Sequence, residues 1–96
     1  MLTQKTITDA VGRIAPRFGL KSVSYFGSYA DGRATEQSDL DVLAEFKTSA
    51  VSLLTIAGLK YALEDELKIP VDVLHAPLPS NAMIEIDKVV CVYGQA

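Results

Sequence analysis

Residues 39–46, Asp-Leu-Asp-Val-Leu-Ala-Glu-Phe, restrict the fold more than any other stretch. Read as a strand, they put Leu40, Val42, Ala44 and Phe46 on one face and Asp39, Asp41, Leu43 and Glu45 on the other. A face that is apolar along its whole length must be covered, so this is a core strand of a sheet packed on other elements. The opposite face is acidic at its start and turns apolar at Leu43. The two carboxylates therefore stand at the strand's leading end, where the sheet meets solvent.

The residues before it read as strand, turn and loop. Residues 21–26, Lys-Ser-Val-Ser-Tyr-Phe, form a short strand with Val23 and Tyr25 on one face. Gly27 then permits a sharp turn. Ser28 is placed to cap a helix start, with Asp31 three residues on, and Gly32 ends that turn. Residues 33–38 are polar and form a loop.

Helical periodicity flanks this centre. Ile7, Val11, Ile14 and Phe18 recur on one stripe, which predicts a helix over 3–18 capped by Thr3 or Thr6 and ended by Gly19. A second helix is predicted over 52–67, with Ser52 at its cap and Leu53, Ile56, Leu59, Leu63 and Leu67 inward. The acidic triplet Glu64-Asp65-Glu66 reads as a solvated face. Ile69-Pro70 breaks the helix, and Val71-Asp-Val-Leu74 forms a third strand. There Asp72 precedes Leu74 as Asp41 precedes Leu43, so neighbouring strands would set Asp72 beside the Asp39/Asp41 pair. Residues 75–80 form a rigid loop. Residues 81–92 read as a last helix, although Val-Val-Cys-Val-Tyr at 89–93 favours a strand by propensity, and 88–93 stays open between the two.

This pattern predicts one α/β (α+β) domain over residues 1–96, with at least three strands and helices packed on them. Nearly half the residues are hydrophobic and 22% are charged, an ordinary globular balance. The net charge of −3 and the lack of a basic run argue against direct nucleic-acid binding. A single cysteine, Cys91, excludes an internal disulfide. No apolar run approaches a membrane span, and the N-terminus has no signal-like core. The expectation is a cytoplasmic protein.

Two features lift the Asp-x-Asp pair above a chance spacing. A Gly-Ser turn, Gly27-Ser28, closes the preceding strand and can offer backbone N–H groups and a hydroxyl to a phosphate. A third acid, Asp72, interrupts an otherwise apolar strand, where Asp is disfavoured. Three converging carboxylates cannot all stay ionised without cations between them. Magnesium suits such oxygen donors together with substrate phosphates, and two ions about 4 Å apart could assist phosphoryl or nucleotidyl transfer. Arg33 and His75, the only histidine, read as loop residues, Cys91 as a small buried hydrophobe, and Tyr25 and Tyr29 as core.

Gly27-Ser28, ten residues, then Asp39-x-Asp41 resembles the signature of the polymerase-β-like nucleotidyltransferase superfamily. The fuller string, Phe26-Gly-Ser-Tyr-Ala-x-Gly with Ser38-Asp-Leu-Asp-Val, resembles its minimal nucleotidyltransferases. These are often the antitoxin half, of the MntA type, of a HEPN–MNT toxin–antitoxin pair. The resemblance implies the nucleotidyltransferase fold, a small mixed sheet with helices packed on it, with ATP as substrate and two Mg2+ ions. Gly27 and Ser28 map onto the residues that hold the triphosphate, Asp39 and Asp41 onto the metal-binding pair. Asp72 maps onto the third carboxylate, which helps bind one metal and orient or deprotonate the attacking hydroxyl. It further implies transfer of AMP to a tyrosine hydroxyl of a HEPN toxin, which is thereby silenced. The alternative is a non-catalytic antitoxin that neutralises its partner by occlusion. Many members carry Arg where this chain has Asp31; Arg33 lies two residues on.

Overall fold

The computed structural model describes residues 2–48, 50–76 and 88–94. Helix α1 (Gln4–Ile14) begins at Thr3, whose Oγ1 accepts the Thr6 N–H at 3.1 Å. It buries Ile7, Ala10, Val11 and Ile14. The helix expected to reach residue 18, with its last turn weakened at Pro16, is divided there, and Ala15–Phe18 form a 3-10 turn. Pro16 is the reason: it has no N–H for the α pattern, but it fits the opening of a new turn. Gly19, at φ 65°, then reverses the chain into the sheet.

Four strands follow: β1 (Leu20–Phe26), β2 (Leu40–Phe46), β3 (Val71–His75) and β4 (Val89–Gly94). Their order across the sheet is β3-β2-β1-β4. β1 lies antiparallel to both β2 and β4, and β3 lies parallel to β2, so the sheet is mixed, as the resemblance implied. Strand β4 decides residues 88–93, which the sequence left open between helix and strand. β-branched Val89, Val90 and Val92 follow strand propensity; Val89 and Val90 pair with Phe26 and Tyr25 of β1, and Val92 falls at a register shift. The remainder of the helix expected over 81–92, and most of the loop expected over 75–80, lie outside the described residues.

The parallel β2–β3 pair needs a crossover, which α3 (Leu53–Leu67) supplies. Ser52 caps it, its Oγ accepting the Thr55 N–H at 3.2 Å. Leu59, Leu63 and Leu67 are buried, but Leu53, expected inward, is 83% exposed with Leu54 beside it. Leu53 stands in the first turn, before the helix has come down onto the sheet. α1 and α3 pack on the same sheet face, against Val23, Tyr25, Leu40, Val42, Ala44 and Val71. The other face carries Asp41, Leu43, Glu45, Asp72 and Leu74, half-buried to exposed among the described residues. The result is a two-layer α+β domain.

Candidate active site

The acids of the open face meet at one end of the sheet. In the parallel pairing Asp41 lies opposite Asp72, and Leu43 opposite Leu74, the register that the repeated acid-then-aliphatic pattern predicted. Adjacent strands run about 4.8 Å apart, so the two carboxylates rise side by side. Asp39 precedes β2 and is exposed. Asp41 is half-buried and forms no hydrogen bond or ion pair with another described residue. Burial raises its pKa above the ordinary carboxylate value, and the charges of Asp72 and then Asp39 push it the same way. The three acids thus share one electrostatic environment. Among the described residues, however, they do not close into a finished three-ligand cage.

Gly27 walls this acid cluster on the β1 side. Phe26, the last residue of β1, pairs with Asp41, and Gly27 turns away at φ 75°, ψ −147°. A Cβ at Gly27 would overlap Asp41 Oδ2. Only glycine satisfies both the backbone angle and this approach. The short helix α2 (Ser28–Asp31) follows, its start secured by the Asp31 N–H donating to Gly27 O at 3.0 Å. Its cap position is Gly27, one residue earlier than expected, so Ser28 is the first helical residue and makes no side-chain cap bond. Asp31 likewise does not complete a capping box: its carboxylate accepts from the Arg33 guanidinium at 2.5 Å. The Arg33 side chain therefore lies in an ion pair with Asp31.

The remaining candidates stay apart from the acids. His75 ends β3 and meets the Phe46 ring edge-on at 5.3 Å between centroids. Cys91 is half-buried in β4, not fully buried as expected, with its Sγ 3.5 Å from Tyr93 O. Tyr25 is buried and Tyr29 packs at the core's margin, in line with core roles. The acidic triplet is not merely solvated. Glu66 pairs with Arg13 of α1, and Glu64 accepts from Lys60 Nζ at 2.7 Å and from the Val71 N–H at 2.9 Å. The i, i+4 spacing of Lys60 and Glu64 was the available signal for that contact.

A fold and a site of this kind define a class. The nucleotidyltransferase domain family matches residues 5–93, and the chain belongs to that family. Among curated relatives it is 41% identical over 71 residues to the protein adenylyltransferase MntA of Thermococcus cleftensis, covering 74% of this chain and 71% of that one. It is 48% identical over 58 residues to a protein assigned as an adenylyltransferase in Methanocaldococcus jannaschii, covering 60% of this chain and 61% of that one. The chain thus spans about three-fifths of the length of the first curated relatives it matches. A solved structure assigned as a minimal nucleotidyltransferase superposes with TM-score 0.75 at 33% identity, covering 93% of this chain and 95% of that one. The fold is shared, at 15% identity and TM-score 0.72, with the complex of a tri-AMPylated Shewanella oneidensis HEPN toxin and its MNT antitoxin, over 97% of this chain and 74% of that one.

Proposed function

We propose that this chain is a protein adenylyltransferase that moves AMP from ATP to a tyrosine hydroxyl of a HEPN-type toxin and so acts as its antitoxin. The observation that carries this reading is the in-register pair Asp41 and Asp72, with the Gly27 backbone closed against Asp41. The names of the relatives and the MNT–HEPN complex support the reaction and the partner.

The donor set fits a hard divalent cation. Asp39, Asp41 and Asp72 offer only carboxylate oxygens, and Asp41 is held near two like charges with no cation paired to it among the described residues. These three side chains would hold two Mg2+ ions, which when bound neutralise the phosphate charge that grows during transfer. Gly27 and Ser28, at the turn beside Asp41, would take the triphosphate through backbone N–H groups and the Ser28 hydroxyl. Asp72 would orient the acceptor hydroxyl and take its proton. The acceptor oxygen attacks the α-phosphorus, the bond to the bridging oxygen of the β-phosphate breaks, and pyrophosphate leaves. AMP remains on the acceptor as a phosphodiester.

The test is intact-mass spectrometry of the partner co-purified with this protein, after incubation with ATP and Mg2+. The expected result is a gain of one or more AMP units with the wild type and none with the Asp39→Asn/Asp41→Asn double variant. An unmodified partner that is nevertheless bound and neutralised would support occlusion instead.

A further inference from the structure

Val71 sits immediately before Asp72, at the start of the sheet's outer strand β3. A backbone on that edge has an N–H and a C=O with no strand to pair with. Here two α3 side chains take both. The Val71 N–H donates to Glu64 Oε2 at 2.9 Å, and Lys60 Nζ donates to Val71 O at 2.9 Å. Lys60 and Glu64 are themselves joined at 2.7 Å and only about a third or less exposed, 35% and 26%. On the inner side the Leu40 N–H donates to Pro70 O at 3.0 Å, so the entry of β3 is gripped from both directions.

We propose that the Lys60–Glu64 pair is a positioning element for Asp72. By holding both polar backbone groups of Val71, it fixes the β3 register that sets Asp72 against Asp41, and binding of divalent ions by the acids depends on it. This rests on the metal-dependent reading of the site above. The hydrogen bond to Glu64, first of all, raises the Lys60 pKa, and the charge of Asp72 adds to the effect, in keeping with an ammonium 2.9 Å from the backbone oxygen of the residue before Asp72.

That proximity gives the test a sign. As a charge alone, Lys60 repels a cation at Asp72, and its removal would tighten metal binding. As an edge cap alone, it would alter stability and leave metal binding unchanged. As a positioning element, its loss weakens metal binding in spite of the repulsion it removes.

The experiment is calorimetric titration of the isolated protein with Mn2+, well below each variant's melting midpoint. Wild type is compared with Lys60→Met, Lys60→Arg, Glu64→Gln and Arg13→Met, the last breaking α3's other ion pair. The expected result is at least a fivefold weakening for Lys60→Met, rescue to within about twofold for Lys60→Arg, and no change for Arg13→Met. Glu64→Gln removes the charge that anchors Lys60 and should weaken binding in the same direction, which keeps the test decisive if Lys60→Met fails to fold. Unchanged or tighter binding in Lys60→Met and Glu64→Gln would overturn the positioning role while leaving the metal site standing. Absence of Mn2+ binding in wild type would strike the metal reading itself, and the positioning role with it.

Discussion

Asp41 and Glu45 stand on the same face of the same strand, four residues apart, and their surroundings are opposite. Glu45 accepts a hydrogen bond from Ser22 Oγ at 3.2 Å and lies 3.9 Å from Lys21 Nζ, both supplied by β1. Asp41 faces a glycine on β1's side and another acid on β3's side, and its pKa is raised by burial first and then by the charges of Asp72 and Asp39. One carboxylate is an ordinary surface charge with partners. The other has no such partner among the described residues, which is what the proposed metal-binding role would require. Uncompensated, half-buried charge of this kind opposes folding, and it is retained where chemistry uses it.

The sharpest way to break this contrast is to neutralise each acid in turn. Asp41→Asn should reduce nucleotidyl transfer at least about 1,000-fold, because it removes a donor for the ions that stabilise the transition state. Glu45→Gln should leave transfer within about twofold. Initial rates of AMP incorporation into the partner measure both.

The second test concerns the wall between the strands. Gly27→Ala should lower stability by about 1–3 kcal/mol, since it forces a Cβ into Asp41 at a strained φ, and should lose transfer as well. Gly12→Ala offers the counterpart. Gly12 lies in the α1 interior with nothing within 4 Å of a new Cβ, so alanine should stabilise by about 0.5–1 kcal/mol. Urea unfolding of the two variants reads both signs.

Stability against pH sharpens the comparison further. The folded-state pKa of Asp41 is raised, so its ionisation opposes folding as pH rises through that pKa, and the penalty vanishes below the unfolded value. In EDTA, Asp41→Asn should therefore melt higher than wild type at neutral pH, and the difference should shrink towards zero below the ordinary carboxylate range. The smallest effect belongs to Glu45→Gln, whose exposed pair contributes about 0–1 kcal/mol and should shift the melting midpoint little at any pH.

What the sequence revealed follows the same division. The alternation in 39–46 and its echo at Asp72–Leu74 foretold the faces and even the Asp41–Asp72 register, because side-chain period and burial leave a strand few choices. Gly27 was legible as a turn, but its closeness to Asp41 depends on how β1 and β2 align, which no local pattern specifies. The inward stripe of α3 was misjudged at Leu53, since periodicity ignores where a helix first meets the sheet. The role of Glu64 was hidden for a related reason. Its partner Val71 belongs to another element, and a charged triplet reads as solvated until that element is docked. Residues 88–93 stayed open between helix and strand because propensity alone did not decide them; pairing with β1 does, and 89–94 form β4.

The most direct test of the central claim is a label-transfer measurement. The partner would be incubated with this protein, Mg2+ and ATP labelled at either the α- or the γ-phosphate, with Asp72→Asn run in parallel. The account predicts that the α-label alone becomes bound to a partner hydroxyl, that pyrophosphate is released in equal amount, and that Asp72→Asn abolishes both. Transfer of the γ-label, or undiminished α-label transfer by Asp72→Asn, would contradict it.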